Sequence, residues 1–279
     1  MAQPLSNDTP EIKHISKAAD EIVEYIDNRR KGIVKSLRTK WVKFNHATMG
    51  GIEPNTIMTI AGISGSGKSS FVNSLETDIV DYNRDQDIII LSFNFEMLSS
   101  RQVGRKLSYK LTKTTAELYS ADSSNEMVSD ELFNNIQEEV THIRHYPIYY
   151  IDSPCNTDQI YSIIKRFQLS DKTKDKWLVV ILDHTLLTRG KSGEQERETL
   201  ANLQKVFMEV KKVGRTSIIQ LSQMNREIES AERISNPTMH FPMRRDLFGS
   251  DSLFQASDYV IVLHRPELLG ELFAQIKFR

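Results

Sequence analysis

The residues with the plainest chemical capacity lie in the run Gly62-Ile63-Ser64-Gly65-Ser66-Gly67-Lys68-Ser69, which fits the pattern G-x-x-x-x-G-K-[S/T]. Each residue type has a physical task there. Glycines let backbone N–H groups curl round a phosphate, and a helix N-terminus adds the positive end of its dipole. Lys68 neutralises β/γ oxygens, while the Ser69 hydroxyl can ligate Mg²⁺. An incidental lysine in a glycine-rich turn is the competing reading. It would not explain why the run sits between an apolar strand and a helix that starts near Lys68. The stretch Gly62, Ser64, Gly65, Ser66, Gly67, Lys68, Ser69 and Ser70 is therefore expected to cradle a nucleoside triphosphate.

A phosphate loop does not by itself select a reaction, so the ends of other apolar runs carry the next evidence. Trp177–Leu182 is uninterrupted and ends in Asp183, as suits a buried central strand delivering a carboxylate to Mg²⁺. Ile88–Phe95 ends in Glu96, a carboxylate able to polarise an attacking water as general base, or simply a solvated loop acid. Thr216–Leu221 leads to Gln223, whose amide is of a kind that can sense a γ-phosphate.

These groups need elements to hold them. Short apolar runs at Thr56–Ala61, Ile88–Phe95, Pro147–Ile151, Trp177–Leu182, Thr216–Leu221, Tyr259–Leu263 and Leu272–Phe278 predict strands. Helical spacing falls between them, in Phe71/Val72/Leu75/Ile79, Leu132/Phe133/Ile136/Val140/Ile143, Ile160/Ile163/Ile164/Phe167 and Leu200/Leu203/Val206/Phe207/Val210/Val213. Strand and helix alternate, so the fold class is α/β with a mostly parallel twisted sheet flanked by helices. Ile12, Ile15, Ala19, Ile22 and Ile26 add an amphipathic helix ahead of that domain. Residues 1–45 thus read as a leading helix with a basic segment, and 46–279 as the catalytic domain. Ser120–Asp130 and Asp171–Lys176 read as surface loops. Thr188–Glu198 and Asn225–Arg245 are long connections that follow strands, of a length that usually either binds something or is disordered.

Composition narrows the remaining classes. The 279 residues are 39% hydrophobic and 26% charged, with one cysteine, so a sizeable core needs no disulfide and a reducing compartment is expected. No run approaches the length of a membrane span, which argues against a membrane partner. The net charge of −1 conceals a bias, because Arg29–Lys43 holds seven Lys/Arg and no acid, leaving −8 on the remainder.

Taken together and in this order, the motifs resemble the ATPase domain of DnaB-type replicative DNA helicases, which has a RecA-like fold. Met49-Gly50-Gly51 precedes the phosphate loop as the family's glycine pair does, and Phe93-Asn94-Phe95-Glu96-Met97 is similar to its S-L-E-M motif. Tyr146-Pro147-Ile148-Tyr149-Tyr150-Ile151-Asp152 resembles P-L-Y-I-D-D. Val179–Asp183 resembles the Walker B strand, and Leu221-Ser222-Gln223-Met224-Asn225-Arg226 resembles L-S-Q-L-N-R. Gln255-Ala256-Ser257-Asp258-Tyr259-Val260-Ile261 is similar to the strand that follows, and Lys277-Phe278-Arg279 to a terminal Lys-x-Arg pair. One position and one run depart from the family, with His184 in place of a tyrosine and Arg245–Asp251 in place of S-D-L-R-E-S-G.

The resemblance implies an ATP-dependent helicase motor of DNA replication that uses Mg²⁺ and assembles as a hexameric ring around single-stranded DNA. It implies Glu96 as catalytic glutamate, Asp183 and Ser69 at the metal, and Gln223 as the sensor coupling nucleotide to DNA. Lys277 and Arg279, which an alternating strand would place on one face, would reach the ATP of the neighbouring subunit. The leading Glu11–Asp27 helix would dock on that neighbour. Arg189 and Lys191 in the first long loop, and Arg226, Arg233, Arg244 and Arg245 in the second, are the candidate contacts to DNA phosphates. A primase or helicase loader is the implied protein partner, and the cytoplasm of a bacterium, or of a phage-infected one, the implied location. The residues correspond to the ATPase half of such proteins without the helical half that precedes it. Two rivals share the core: a RecA-like recombinase, and a nucleotide-switched loader or inhibitor that does not unwind DNA.

Overall fold

The computed structural model describes residues 12–120 and 127–269. It divides into two units, Met1–Ser36 and Leu37–Arg279. In the first, α1 (Ile15–Arg30) begins at His14, whose ring nitrogen accepts from the Ser16 backbone N–H, and ends on Arg29 and Arg30, which suit the negative pole of the helix dipole. No residue of α1 is buried, and Ile15, Ile22, Val23 and Ile26 are all exposed.

The second unit is built on a six-stranded, wholly parallel sheet in the order β3-β2-β4-β5-β1-β6. Its strands are β1 (Ile57–Gly62), β2 (Ile88–Asn94), β3 (Ile148–Ile151), β4 (Trp177–Asp183), β5 (Thr216–Gln223) and β6 (Tyr259–Val262). The four central strands are buried almost end to end, which is why they read as continuous apolar runs. Alternation within β4 shows how the two faces are filled. Leu178, Val180 and Leu182 face a layer containing Ile160, Ile164, Leu203 and Phe207. Trp177, Val179 and Ile181 face the opposite layer with Val72, Leu75 and Ile79. The seventh expected strand, Leu272–Phe278, lies outside the described residues.

The helices of this unit are α2 (Val42–Ala47), α3 (Lys68–Asp81), α4 (Ser99–Leu111), α5 (Thr115–Tyr119), α6 (Asp130–Ile143), α7 (Thr157–Leu169), α8 (Glu196–Val210), α9 (Ala231–Ser235), α10 (Ser250–Ala256) and α11 (Pro266–Leu269). α3, α6, α7 and α8 match the apolar periodicities. α4 is not among those expected: Val103, Leu107 and Leu111 give it one apolar stripe, while a second inward side carries buried Gln102 and Lys106. Apolar spacing marks only the first of these two sides.

The second unit begins earlier than position 46. Leu37 is fully buried and exchanges two backbone hydrogen bonds with Ile52, and Lys40 N–H donates to Asp78 at 2.9 Å. Half of the basic segment is therefore part of the catalytic fold. The connection Asn225–Arg245 is also a folded excursion. Asn225 N–H donates to Asp246 O, Phe248 N–H donates to Gln223 O, and Ile228 is buried inside. No helix among the described residues is long and apolar enough to cross a membrane.

Candidate nucleotide site

The phosphate loop leaves β1 at Gly62 and enters α3 at Lys68. Gly62 has no room for a side chain, since a Cβ there would lie 2.8 Å from Leu263 O and against the Ser66 hydroxyl. Gly65 and Gly67 hold φ of 76° and 92°, the left-handed region that glycine adopts without strain. Lys68 is buried, and its Nζ donates to Gly62 O at 2.8 Å and Ile63 O at 2.9 Å, so the ammonium lies across the neck of the loop. Burial lowers its pKa, against the pull of the Asp183 and Glu96 carboxylates. Ser66 Oγ is buried without a partner among the described residues, while Ser64 and Ser70 are exposed.

Three neighbouring strand ends bring the other groups to this edge, as expected of an open parallel sheet, which binds ligands at its carboxyl ends. Asp183 closes β4 and is 4% exposed. Burial pushes its carboxyl up to about 6, with Glu96 adding to the rise and a hydrogen bond from Ser69 opposing it. Its Oδ1 has no partner among the described residues. A serine hydroxyl on a buried carboxylate with an unsatisfied oxygen suits a divalent cation. Ser69 and Asp183 are the two groups that would hold Mg²⁺, a cation that takes one or two protein ligands beside phosphate and water.

β2 pairs with β4 so that Asn94 lies opposite Asp183, and Phe95 N–H donates to Asp183 O. Glu96 follows, exposed at the rim, and its charge acts on Lys68, Asp183 and His184. Gln223 ends β5 opposite Gly62, and its Nε2 lies 3.3 Å from His184 Nε2. His184 is buried and desolvation lowers its pKa, so the ring is neutral at pH 7, with Nδ1 unpartnered among the described residues. Lys68, Ser69, Asp183, Glu96 and Gln223 thus share one edge, and the chemistry available there is triphosphate binding with a carboxylate placed to take a proton from water.

Three more groups reach this edge that no motif marks. His184 stands out in the sequence only as an unusual neighbour of Asp183. Arg105 on α4 has a buried Nη1 with no partner among the described residues, and its charge lowers the Asp183 pKa. Arg265, after β6, donates from Nη1 to Gly65 O at 3.2 Å.

The loop cations divide. Arg189 is exposed on the first loop, and Lys191 pairs with Asp158 at 2.8 Å. On the second loop Arg226 and Arg245 are exposed, with no side-chain partner among the described residues, while Arg244 stacks over Phe254 and reaches Asp251 at 3.4 Å. Arg233 corrects the sequence expectation. It is 4% exposed and grips Asp246 at 2.6 Å, with its other donors on Met239 O and Phe241 O. A guanidinium so enclosed, with Nε, Nη1 and Nη2 each bonded inside the loop, closes the loop and is not presented to a phosphate. Lys277 and Arg279 lie outside the described residues.

Comparison with known proteins agrees with this fold. Residues 8–275 match the family described as DnaB-like helicase C terminal domain. The chain is 31% identical over 175 residues to the replicative DNA helicase DnaB of Mycobacterium leprae, a span of 63% of this chain and 27% of that protein. It is 24% identical over 224 residues to DnaB of Rickettsia typhi, 78% of this chain and 42% of that one. It therefore spans less than half the length of these relatives. In structure it is similar to a solved ATPase domain, with a TM-score of 0.77 at 18% identity over 92% of this chain and 86% of that one. A DnaB-like replicative helicase solved with a view to its interactions with primase gives 0.74 at 17% identity, over 95% and 60%. The matched residues contain all six strands of the sheet, and the chain belongs to the DnaB-like helicase C-terminal domain family.

Proposed function

We propose that this chain is the ATP-hydrolysing motor of a replicative DNA helicase, acting as a hexameric ring that translocates on single-stranded DNA. The observation that carries the reading is the convergence of Lys68, Ser69, Asp183, Glu96 and Gln223 at the carboxyl edge of β1, β2, β4 and β5. Lys68 leaves the Gly62 and Ile63 carbonyls to hold β/γ oxygens of ATP, together with the loop amides. Ser69 and Asp183 would hold Mg²⁺, whose chemistry there would be neutralisation of phosphoryl charge. Glu96, solvated at the rim, accepts the proton of the attacking water. Gln223, against neutral His184, senses the γ-phosphate and passes its state to the second loop, which starts two residues later. Arg105 supplies a further positive charge beside Asp183.

Lys277 and Arg279 would complete the site of a neighbouring subunit, and the exposed apolar stripe of α1 would dock on that neighbour. Arg189, Lys191, Arg226, Arg244 and Arg245 are the proposed DNA phosphate contacts. The proposed protein partner is a loader or a primase, the latter being the protein with which one structural relative interacts. The test is hydrolysis and unwinding with and without single-stranded DNA. The chain should hydrolyse ATP faster with DNA and displace a paired strand, and Lys68→Ala should lower kcat/KM by about 10³-fold or more. Hydrolysis retained in Lys68→Ala would remove the assignment of the site. Hydrolysis without strand displacement would favour the recombinase or loader readings.

A further inference from the structure

α3 and α4 meet through a row of polar contacts rather than an apolar seam. Asn73 Nδ2 donates to Gln102 Oε1 at 2.9 Å and to Gln102 O at 3.0 Å. One turn on, Lys106 Nζ donates to Glu76 Oε2 at 2.5 Å. Beyond it Tyr109 OH donates to Asp78 Oδ1 and Lys110 Nζ to Asp81 Oδ2, each at 2.8 Å. The outer rungs are partly exposed, but Lys106 and Glu76 are 1% and 3% exposed. The row also enters the sheet. Ser92 Oγ donates to Glu76 Oε1 at 2.5 Å, Tyr150 OH to Glu76 Oε2 at 3.3 Å, and Gln102 Nε2 to Asn94 Oδ1 at 3.3 Å.

A buried ion pair is a poor device for stability alone, because an apolar pair of similar volume commonly packs as well or better. It does, however, permit only one registration of its two helices. That registration matters here because α3 begins at Lys68 and α4 begins three residues after Glu96. Glu76 lies eight residues along α3 from Lys68, roughly 12 Å at helical rise, and it ties both helices to β2 at Ser92. Asn94, held by Gln102, is two residues from Glu96.

We infer that Glu76 and Lys106 are positioning residues for hydrolysis, locking the phosphate-binding helix to the Glu96 turn so that the bound triphosphate and the carboxylate keep a fixed separation. The inference rests on the nucleotide-site reading above, and it predicts an effect on turnover rather than on nucleotide binding. The pair holds relative geometry without touching ATP, and a misplacement of the base of about 1 Å is enough to slow proton abstraction by tens-fold or more.

The experiment compares the unaltered chain with the double variant Glu76→Leu/Lys106→Met and with Gln102→Leu, reading melting temperature, Kd for a fluorescent ATP analogue, and kcat. The double variant should melt within a few degrees of the unaltered chain and bind the analogue within twofold, yet lose about tenfold in kcat. Gln102→Leu, an uncharged change at the rung that holds Asn94, should lose about threefold in kcat at unchanged Kd, and it serves if the double variant does not fold. Unchanged kcat in a folded double variant, or in Gln102→Leu, would overturn the inference. So would a loss of affinity that parallels the loss of kcat. Absence of hydrolysis by the unaltered chain is a separate outcome, overturning the site reading and this inference with it.

Discussion

Asp183 shows how a single side chain is set by its surroundings. Burial raises its carboxyl to about 6 from 3.8. The sign follows from linkage: a carboxyl whose folded pKa lies above its unfolded one binds more protons when folded. Its ionisation therefore destabilises the fold as pH rises from about 4 through 6. Asp183→Asn should stabilise the ligand-free protein by on the order of 2 kcal/mol at pH 8, with the gain shrinking toward pH 4, as read by thermal melting across that range. The same proton opposes a cation, so Mg²⁺ should raise the melting temperature more at pH 8 than at pH 5. An equal effect of Mg²⁺ at both pH values would contradict a metal role for this carboxylate.

At the scale of elements, the Asn225–Arg245 connection shows why charge alone misleads. Its arginines look equivalent in sequence, but Arg233 is enclosed with Asp246, which is fully buried, while Arg226 and Arg245 face solvent. Arg233→Ala should cost about 3–5 kcal/mol, because it strands a buried carboxylate. Limited proteolysis should then cut within 225–246 before it cuts the sheet, and an uncut loop at an unchanged melting temperature would show the pair to be dispensable. α4 offers the complementary case, a helix whose apolar stripe at Val103, Leu107 and Leu111 says nothing of the buried polar side that carries Gln102 and Lys106. Both features are polar groups whose partners lie 13 to 30 residues away, beyond the reach of any pattern among neighbouring residues.

At the scale of the whole molecule, α1 leaves Ile22, Val23 and Ile26 exposed together, whereas the apolar runs of β1, β2, β4 and β5 are buried. Isolated amphipathic helices are marginal in water, so most of their stability must come from packing. If a second copy supplies that surface, Ile22→Glu/Ile26→Glu should leave the melting of the Leu37–Arg279 unit unchanged and reduce the ring, by mass measurement with ATP analogue and DNA, to monomers. Rings that persist in the double variant would place the subunit contact elsewhere.

The sequence alone determined the parallel α/β core and the position of the phosphate loop. Both rest on short-range rules, the unbroken apolar runs of strands buried on two faces and the glycine spacing of a strand-to-helix turn. Tertiary structure alone decided which polar groups meet. The approach of Gln223 to His184, the orphaned oxygen of Asp183, the enclosure of Arg233 and the Glu76–Lys106 pair all depend on desolvation and on contacts between distant strands and helices. Whether a charged residue binds a ligand or closes the fold is set by what surrounds it, and that is not encoded in its spacing along the chain.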